Sequence, residues 1–281
     1  MNIKITGFAD EIAPDLITQV ASVKSLGISH IEMRGVDGDN LIYHTTPKVL
    51  EIKNYLKENG ISLSALGSPL GKIGITDDFA PHMEEFKRAV EIANMMETPY
   101  IRMFSFYLPK GSTPADYESQ VLERLSQFIR YAENNHVILL HENEKGIYGE
   151  LAPQCLEILK ALPQIKCVFD AANFIQASQD VKEAWDMLKV YVYYHHIKDA
   201  LPNGDIVPAG YGVAGIKDYL KEYSAMGGGV LTIEPHLAGF VGIENLANDD
   251  ERKHMGRFSF ASCEEAFGFA ADSLKKIISE I

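Results

Sequence analysis

The chain has 281 residues, 46% of them hydrophobic, enough for a sizeable core in one large α/β domain or two smaller ones. Its 26 Lys and Arg against 39 Asp and Glu leave a formal charge of −13, which argues against nucleic acid or an anionic membrane as the main partner and for a small-molecule substrate. Cys155, Cys167 and Cys263 are widely spaced and form no CxxC pair, so neither a disulfide framework nor a thiolate zinc site is expected, and a cytoplasmic setting fits.

In chain order, the opening MNIKITGFADE lacks the apolar core of a signal peptide, and no run reaches the roughly 18 apolar residues of a membrane span. Short β-rich runs follow at Asn2 (NIKITGFA), His30 (HIEMR), Ile61 (ISLSALG), Tyr100 (YIRMFS), Val137 (VILLHEN), Cys167 (CVFDAA), Val192 (VYYHHIK) and Val230 (VLTIEP). Helical patterns lie between them. Thr46 with Pro47 opens one helix, which Gly60 closes; Thr113 with Pro114 opens another that ends near Asn135; Ser262 with Glu265 reads as a capping box for the last. Gly27, Gly60 and Gly227 to Gly229 stand just before strands, where a helix ends in a left-handed cap. Eight such units with no linker or composition shift predict residues 1–281 to be a single (β/α)8 TIM barrel domain, with a doubly wound sheet as the alternative. No GxGxxG or GxxxxGK[ST] follows a strand.

In a barrel of this kind, chemistry gathers at the C-terminal ends of the strands. Four late strands end in ionisable groups: LLHEN at Glu142, VFDAAN at Asp170, YYHHIKD at His195 and His196, and LTIEPH at Glu234. Strand alternation allows only one of the two histidines to face inward, and His196 shares its face with Tyr194 and Lys198. Three carboxylates converging with one imidazole are costly unless a cation sits among them. Glu142, Asp170, Glu234 and one of the two histidines are therefore expected to gather around one divalent metal. Three oxygens and one nitrogen suit Mn2+ or Mg2+, with Co2+ or Zn2+ also fitting.

The segments HEN (His141–Asn143), FDAANF (Phe169–Phe174), HIKD (His196–Asp199) and IEP (Ile233–Pro235) resemble the xylose isomerase-like TIM barrels, which include sugar-phosphate isomerases, ketose 3-epimerases and inosose dehydratases. That resemblance covers essentially the whole chain in strand order. It implies Glu142, Asp170, His196 and Glu234 as the metal ligands, Glu142 and Glu234 as the acid–base pair, Lys198 beside the substrate, and a homodimer or homotetramer. Many members carry a histidine three residues after the strand-six aspartate. Here that position is Asn173, an amide that hydrogen-bonds a sugar hydroxyl but cannot shuttle a proton.

The implied activity is that of a metal-dependent isomerase or epimerase of a sugar or sugar phosphate, acting by proton transfer through an enediolate. The alternative is a dehydratase of a keto-sugar or keto-inositol. Earlier strand ends place Glu32, Arg34, Lys72 and Arg102 on the substrate side, where Arg102 and Lys72 could hold a phosphate or carboxylate. Equally, Glu32 could form an ion pair with Arg102 or Arg34. The long segment after Glu234 reads as a lid carrying His236, His254 and Arg257. An AP-endonuclease role is disfavoured by the charge and by histidines that do not cluster at strand ends; a non-catalytic sugar-binding role is disfavoured by the intact ligand set.

Overall fold

The structure, a computed structural model, describes residues 3–239 and 258–281. Its main sheet has eight parallel strands: β1 (Ile3–Gly7), β2 (His30–Met33), β3 (Ser62–Gly67), β4 (Tyr100–Met103), β5 (Ile138–Glu142), β6 (Lys166–Asp170), β7 (Val192–Ile197) and β8 (Gly229–Ile233). Each strand from β2 to β7 pairs with the next in sequence, and β8 pairs with β1, so the sheet curls into a barrel open only at the β1/β2 seam. The helices around it are α1 (Leu16–Ser25), α2 (Thr46–Glu58), α3 (Phe79–Met95), α4 (Pro114–Asn134), α5 (Ala152–Ala161), α6 (Ala171–Gln176), α7 (Val181–Leu188), α8 (Ile216–Ala225) and α9 (Cys263–Ser279). The fold is the expected TIM barrel. Among the described residues, no helix is long and apolar enough to cross a membrane.

The local signals act through identifiable bonds. At α4, the Thr113 N–H donates to Asp116 Oδ2 at 2.7 Å, so Asp116 completes the capping box. At α9, the Glu265 N–H donates to Ser262 Oγ, but Glu265 Oε2 accepts from the Ala261 N–H instead of that of Ser262. Helix α2 takes Thr45 as its N-cap, one residue before the expected start, which places Pro47 inside the first turn, where its missing N–H costs nothing. Gly27 and Gly60 have φ of +70° and +71°, the left-handed geometry that turns a helix back toward the sheet. Two short antiparallel hairpins, Gly35–Val36 with Asp39–Asn40 and Asp199–Ala200 with Ile206–Val207, were not expected, because strands of two residues are too short to show an alternation.

Alternation then sorts each late strand into an inner and an outer face. Leu140, Val168 and Tyr194 pack with Ala65 to plug the barrel interior, and the residues two positions further on are Glu142, Asp170 and His196. The outer set, which includes Leu139, Cys167, Phe169, Ile197 and Leu231, belongs to the core between barrel and helices. An apolar floor thus lies directly beneath a charged mouth.

Candidate metal centre and active site

Pairing register sets the height of the mouth residues. Asp170 is opposite His196 and His196 is opposite Thr232, so three strands end at one level, with Glu234 just above. Glu142, Asp170, His196 and Glu234 are all buried, and each offers a ligand atom within 4.8 Å of the others. Two donors at about 2.1 Å from one ion stand at most about 4.2 Å apart, so a contraction of a few tenths of an ångström would seat the set on a cation. The residues fit a divalent metal in chemistry and in spacing.

His196 and Lys198 lie within ion-pair distance of these carboxylates. His196 Nδ1 is 2.8 Å from Glu142 Oε1 and 3.3 Å from Glu234 Oε2. Lys198 Nζ lies 3.0 Å from Asp170 Oδ2 and 3.4 Å from Glu234 Oε2. Burial alone would lower the His196 pKa, but Glu142 and Glu32 raise it well above the usual histidine value. Burial pushes the Asp170 carboxyl up to about 6, against the pull of Lys198. For Glu234, burial is outweighed by Lys198 and His196, which hold it well below the usual carboxylate range.

The two glutamates are arranged alike. Each turns one oxygen to His196 and has the other held by an arginine: Glu142 Oε2 by Arg102 Nε at 3.2 Å, and Glu234 Oε1 by Arg34 Nη1 at 3.1 Å. Both guanidinium groups lie over the Phe8 ring, at 4.3 Å for Arg34 and 5.5 Å for Arg102, and Phe8 also meets His196 edge-on. Arg34 further binds Asp10 at 2.8 Å and Glu11 at 3.4 Å, while Arg102 donates to the Ser68 carbonyl. Of the ion pairs the sequence offered for Glu32, the Arg102 contact exists only as a long one of 3.9 Å. Glu32 itself is buried below the cluster, bonded to His196 Nε2 and Thr232 Oγ1.

The other expected residues are dispersed around this centre. Lys72 pairs with Glu144 at 2.9 Å and lies over Phe104. Asn173 is turned to the scaffold: its Nδ2 donates to the Asn143 carbonyl, and its N–H donates to Asp170 Oδ1. Asn143 in turn exchanges two bonds with the Asp170 backbone, so an Asn143–Asp170–Asn173 brace fixes the aspartate at the junction of β6 and α6. His236 Nε2 reaches Glu11 and Glu234 at 3.3 and 3.4 Å. Glu11, Glu234 and His236 also satisfy the spacing of a cation site, but the Arg34 guanidinium already supplies positive charge to both acids. His254 and Arg257 lie outside the described residues, as does most of the expected lid. Sequence reasoning missed Asp10, Glu11 and Glu144. Asp10 and Glu11 follow β1 in the stretch GFADE, where the strand-end rule already applied to β5 to β8 would have found them.

A family profile described as xylose isomerase-like TIM barrel matches residues 20–257. The chain belongs to that family. No curated protein matches it in sequence. Among solved structures, the D-allulose 3-epimerase of Methylomonas sp. in complex with D-allulose is similar with a TM-score of 0.77 at 13% identity, over 99% of this chain and 97% of that one. The probable 3-DHS dehydratase AsbF of Bacillus anthracis, involved in petrobactin synthesis, gives a TM-score of 0.75 at 14% identity, over 97% and 98%. The IOLI protein with a binding zinc atom gives 0.75 at 17% identity, over 99% and 98%.

Proposed function

We propose that the protein is a metal-dependent isomerase or epimerase of a sugar or sugar phosphate that moves a proton on the carbon beside a carbonyl, through an enediolate. The observation that carries this reading is the convergence of Glu142, Asp170, His196 and Glu234 on one point among buried surroundings. Epimerase and probable dehydratase structures among the fold neighbours support it. A bound divalent ion, with Mn2+ the best match to the hard oxygen donors, supplies Lewis acidity toward negative charge on substrate oxygens. Glu142 and Glu234 then act as the base and the acid. Arg102 and Arg34 fix the far oxygen of each, so both carboxylates keep one orientation while a proton moves. Return to the opposite face gives an epimer; return to the neighbouring carbon gives an isomer.

A second reading, loss of a β-hydroxyl by a keto-sugar or keto-inositol dehydratase, draws on Lys198, whose ammonium stands 3.4 Å from Glu234 and is a ready proton donor to a departing hydroxyl. Both readings begin with the same proton abstraction. The Mn2+-loaded protein, incubated with ketoses, their phosphates and keto-inositols in deuterated water, should place deuterium on the carbon beside the carbonyl. Glu142→Gln or Glu234→Gln should lower that exchange by about two to four orders of magnitude, with metal content measured in the same variants. Turnover that brings no solvent deuterium into product would sink the proposal in favour of a hydride shift between adjacent carbons. Product analysis separates epimer, isomer and dehydrated ketone.

A further inference from the structure

We propose that Glu32 is a positioning residue for the metal ligand: its carboxylate takes the Nε2–H of His196 and thereby turns Nδ1 toward Glu142, Asp170 and Glu234. The inference rests on the proposed metal site and adds to it a residue that the sequence placed on the substrate side. Three observations carry it. Glu32 is fully buried on the Nε2 side of the imidazole, whereas Glu142 and Glu234 meet Nδ1, and it is not among the four residues that converge. Its Oε2 lies 3.1 Å from His196 Nε2 and accepts from Thr232 Oγ1 at 2.7 Å, so a hydroxyl on β8 aims the carboxylate at the ring. Arg102 approaches the other oxygen, Oε1, at 3.9 Å, beyond hydrogen-bonding distance, and leaves Oε2 to His196 and Thr232.

The chemistry follows from the donor inventory. An ionised carboxylate only accepts, so the nitrogen facing Glu32 must carry hydrogen, and a neutral imidazole then presents its lone pair at Nδ1. Phe8, edge-on to the same ring at 5.0 Å, restrains its tilt. A ligand histidine fixed in this way by an outer carboxylate gains both orientation and basicity, and loss of such a partner typically costs about 10- to 100-fold in metal affinity.

Calorimetric titration of the metal-free protein with Mn2+ tests this directly, with thermal unfolding of each variant as the check on folding. Glu32→Leu should weaken Mn2+ binding by about 10- to 100-fold. Glu32→Gln should fall between Leu and wild type, because its amide oxygen still takes the Nε2–H. Thr232→Val, which removes only the hydroxyl that aims Glu32, should show the smallest loss. With Co2+ in place of Mn2+, the visible absorption of Glu32→Leu should change in shape as the imidazole is released. Wild-type affinity in folded Glu32→Leu overturns the proposal; if that variant does not fold, wild-type affinity in both Glu32→Gln and Thr232→Val does so. A wild-type protein that binds no Mn2+ overturns the metal-dependent reading and this inference together, whereas tight wild-type binding with unaffected variants overturns only the role of Glu32.

Discussion

On the inner face of β7, His196 lies among Glu32, Glu142 and Glu234, whereas on the outer face His195 lies among the rings of Phe169, Trp185, Tyr219 and Tyr223. Both imidazoles are fully buried, and burial drives each toward the neutral form. Inside, the carboxylates reverse that tendency and raise the pKa of His196. Outside, the ring meets aromatic faces among the described residues, and burial lowers the pKa of His195 to about 3. Two identical side chains, one residue apart, thus become a hydrogen-bonded hub and a packing element. The strand period decides which is which.

The largest effect should come from breaking the inner side of this pair. His196→Ala leaves Glu142, Asp170 and Glu234 facing one another without their nitrogen ligand, and Mn2+ affinity should fall at least about 1,000-fold, or about 4 kcal/mol. His195→Ala should leave the Mn2+ stoichiometry and affinity as they are. Titration of both variants with Mn2+ reads the contrast, and an exchange of the two outcomes would mean that the inner and outer faces of β7 have been assigned the wrong way round.

A smaller loss awaits the outer side. His195 stacks on Tyr219 with ring centroids 5.2 Å apart and meets Tyr223 edge-on at 4.4 Å, so truncation opens a cavity among large rings. His195→Ala should cost about 2 to 4 kcal/mol of stability, measured by urea unfolding of the metal-free protein. No measurable loss would show that the aromatic layer between β7 and helices α7 and α8 closes over the gap.

This contrast also marks how far the sequence could be read. The barrel strands were legible because their apolar runs and flanking glycines are strong local signals, and Glu142, Asp170, His196 and Glu234 were legible because strand ends are where a barrel gathers its chemistry. Partner choice was not. Arg34 binds Asp10, Glu11 and Glu234, and Arg102 binds Glu142, each across the mouth of the barrel, so no local pattern distinguishes these pairs from the expected contacts with Glu32. Asn173 illustrates the same limit. Its position three residues after Asp170 pointed to a sugar hydroxyl, yet α6 starts immediately after Asp170 and turns the amide back onto Asn143. The helix boundary, which sequence locates least well, settles where that side chain goes.

The smallest predicted effect sharpens the comparison through pH. His195 has its folded-state pKa lowered to about 3, against 6.5 for an unperturbed histidine. A group with a depressed folded pKa contributes stability that is fully present above its unfolded pKa and is lost as pH falls toward the folded value, because only the unfolded chain takes up the proton. The window for His195 therefore runs from about pH 6.5 down to about pH 3, with a slope of about 1.4 kcal/mol per unit. Between about pH 7.5 and pH 5 its share of the loss is about 2 kcal/mol. His141, buried beside Ser105 and likewise lowered to about 3, adds a loss of the same sign. His196 acts in the opposite sense: its raised pKa gives stability that is present below its unfolded value and is lost as pH rises through the folded one. Wild type must therefore be compared with His195→Phe, which keeps the aromatic packing and leaves both other histidines in place. Urea unfolding of the metal-free proteins at the two pH values should show wild type losing about 2 kcal/mol more than His195→Phe on acidification. Equal losses would mean that the outer imidazole accepts a proton in the folded protein, and the chemical contrast between the two faces of β7 would then be much weaker than the geometry implies.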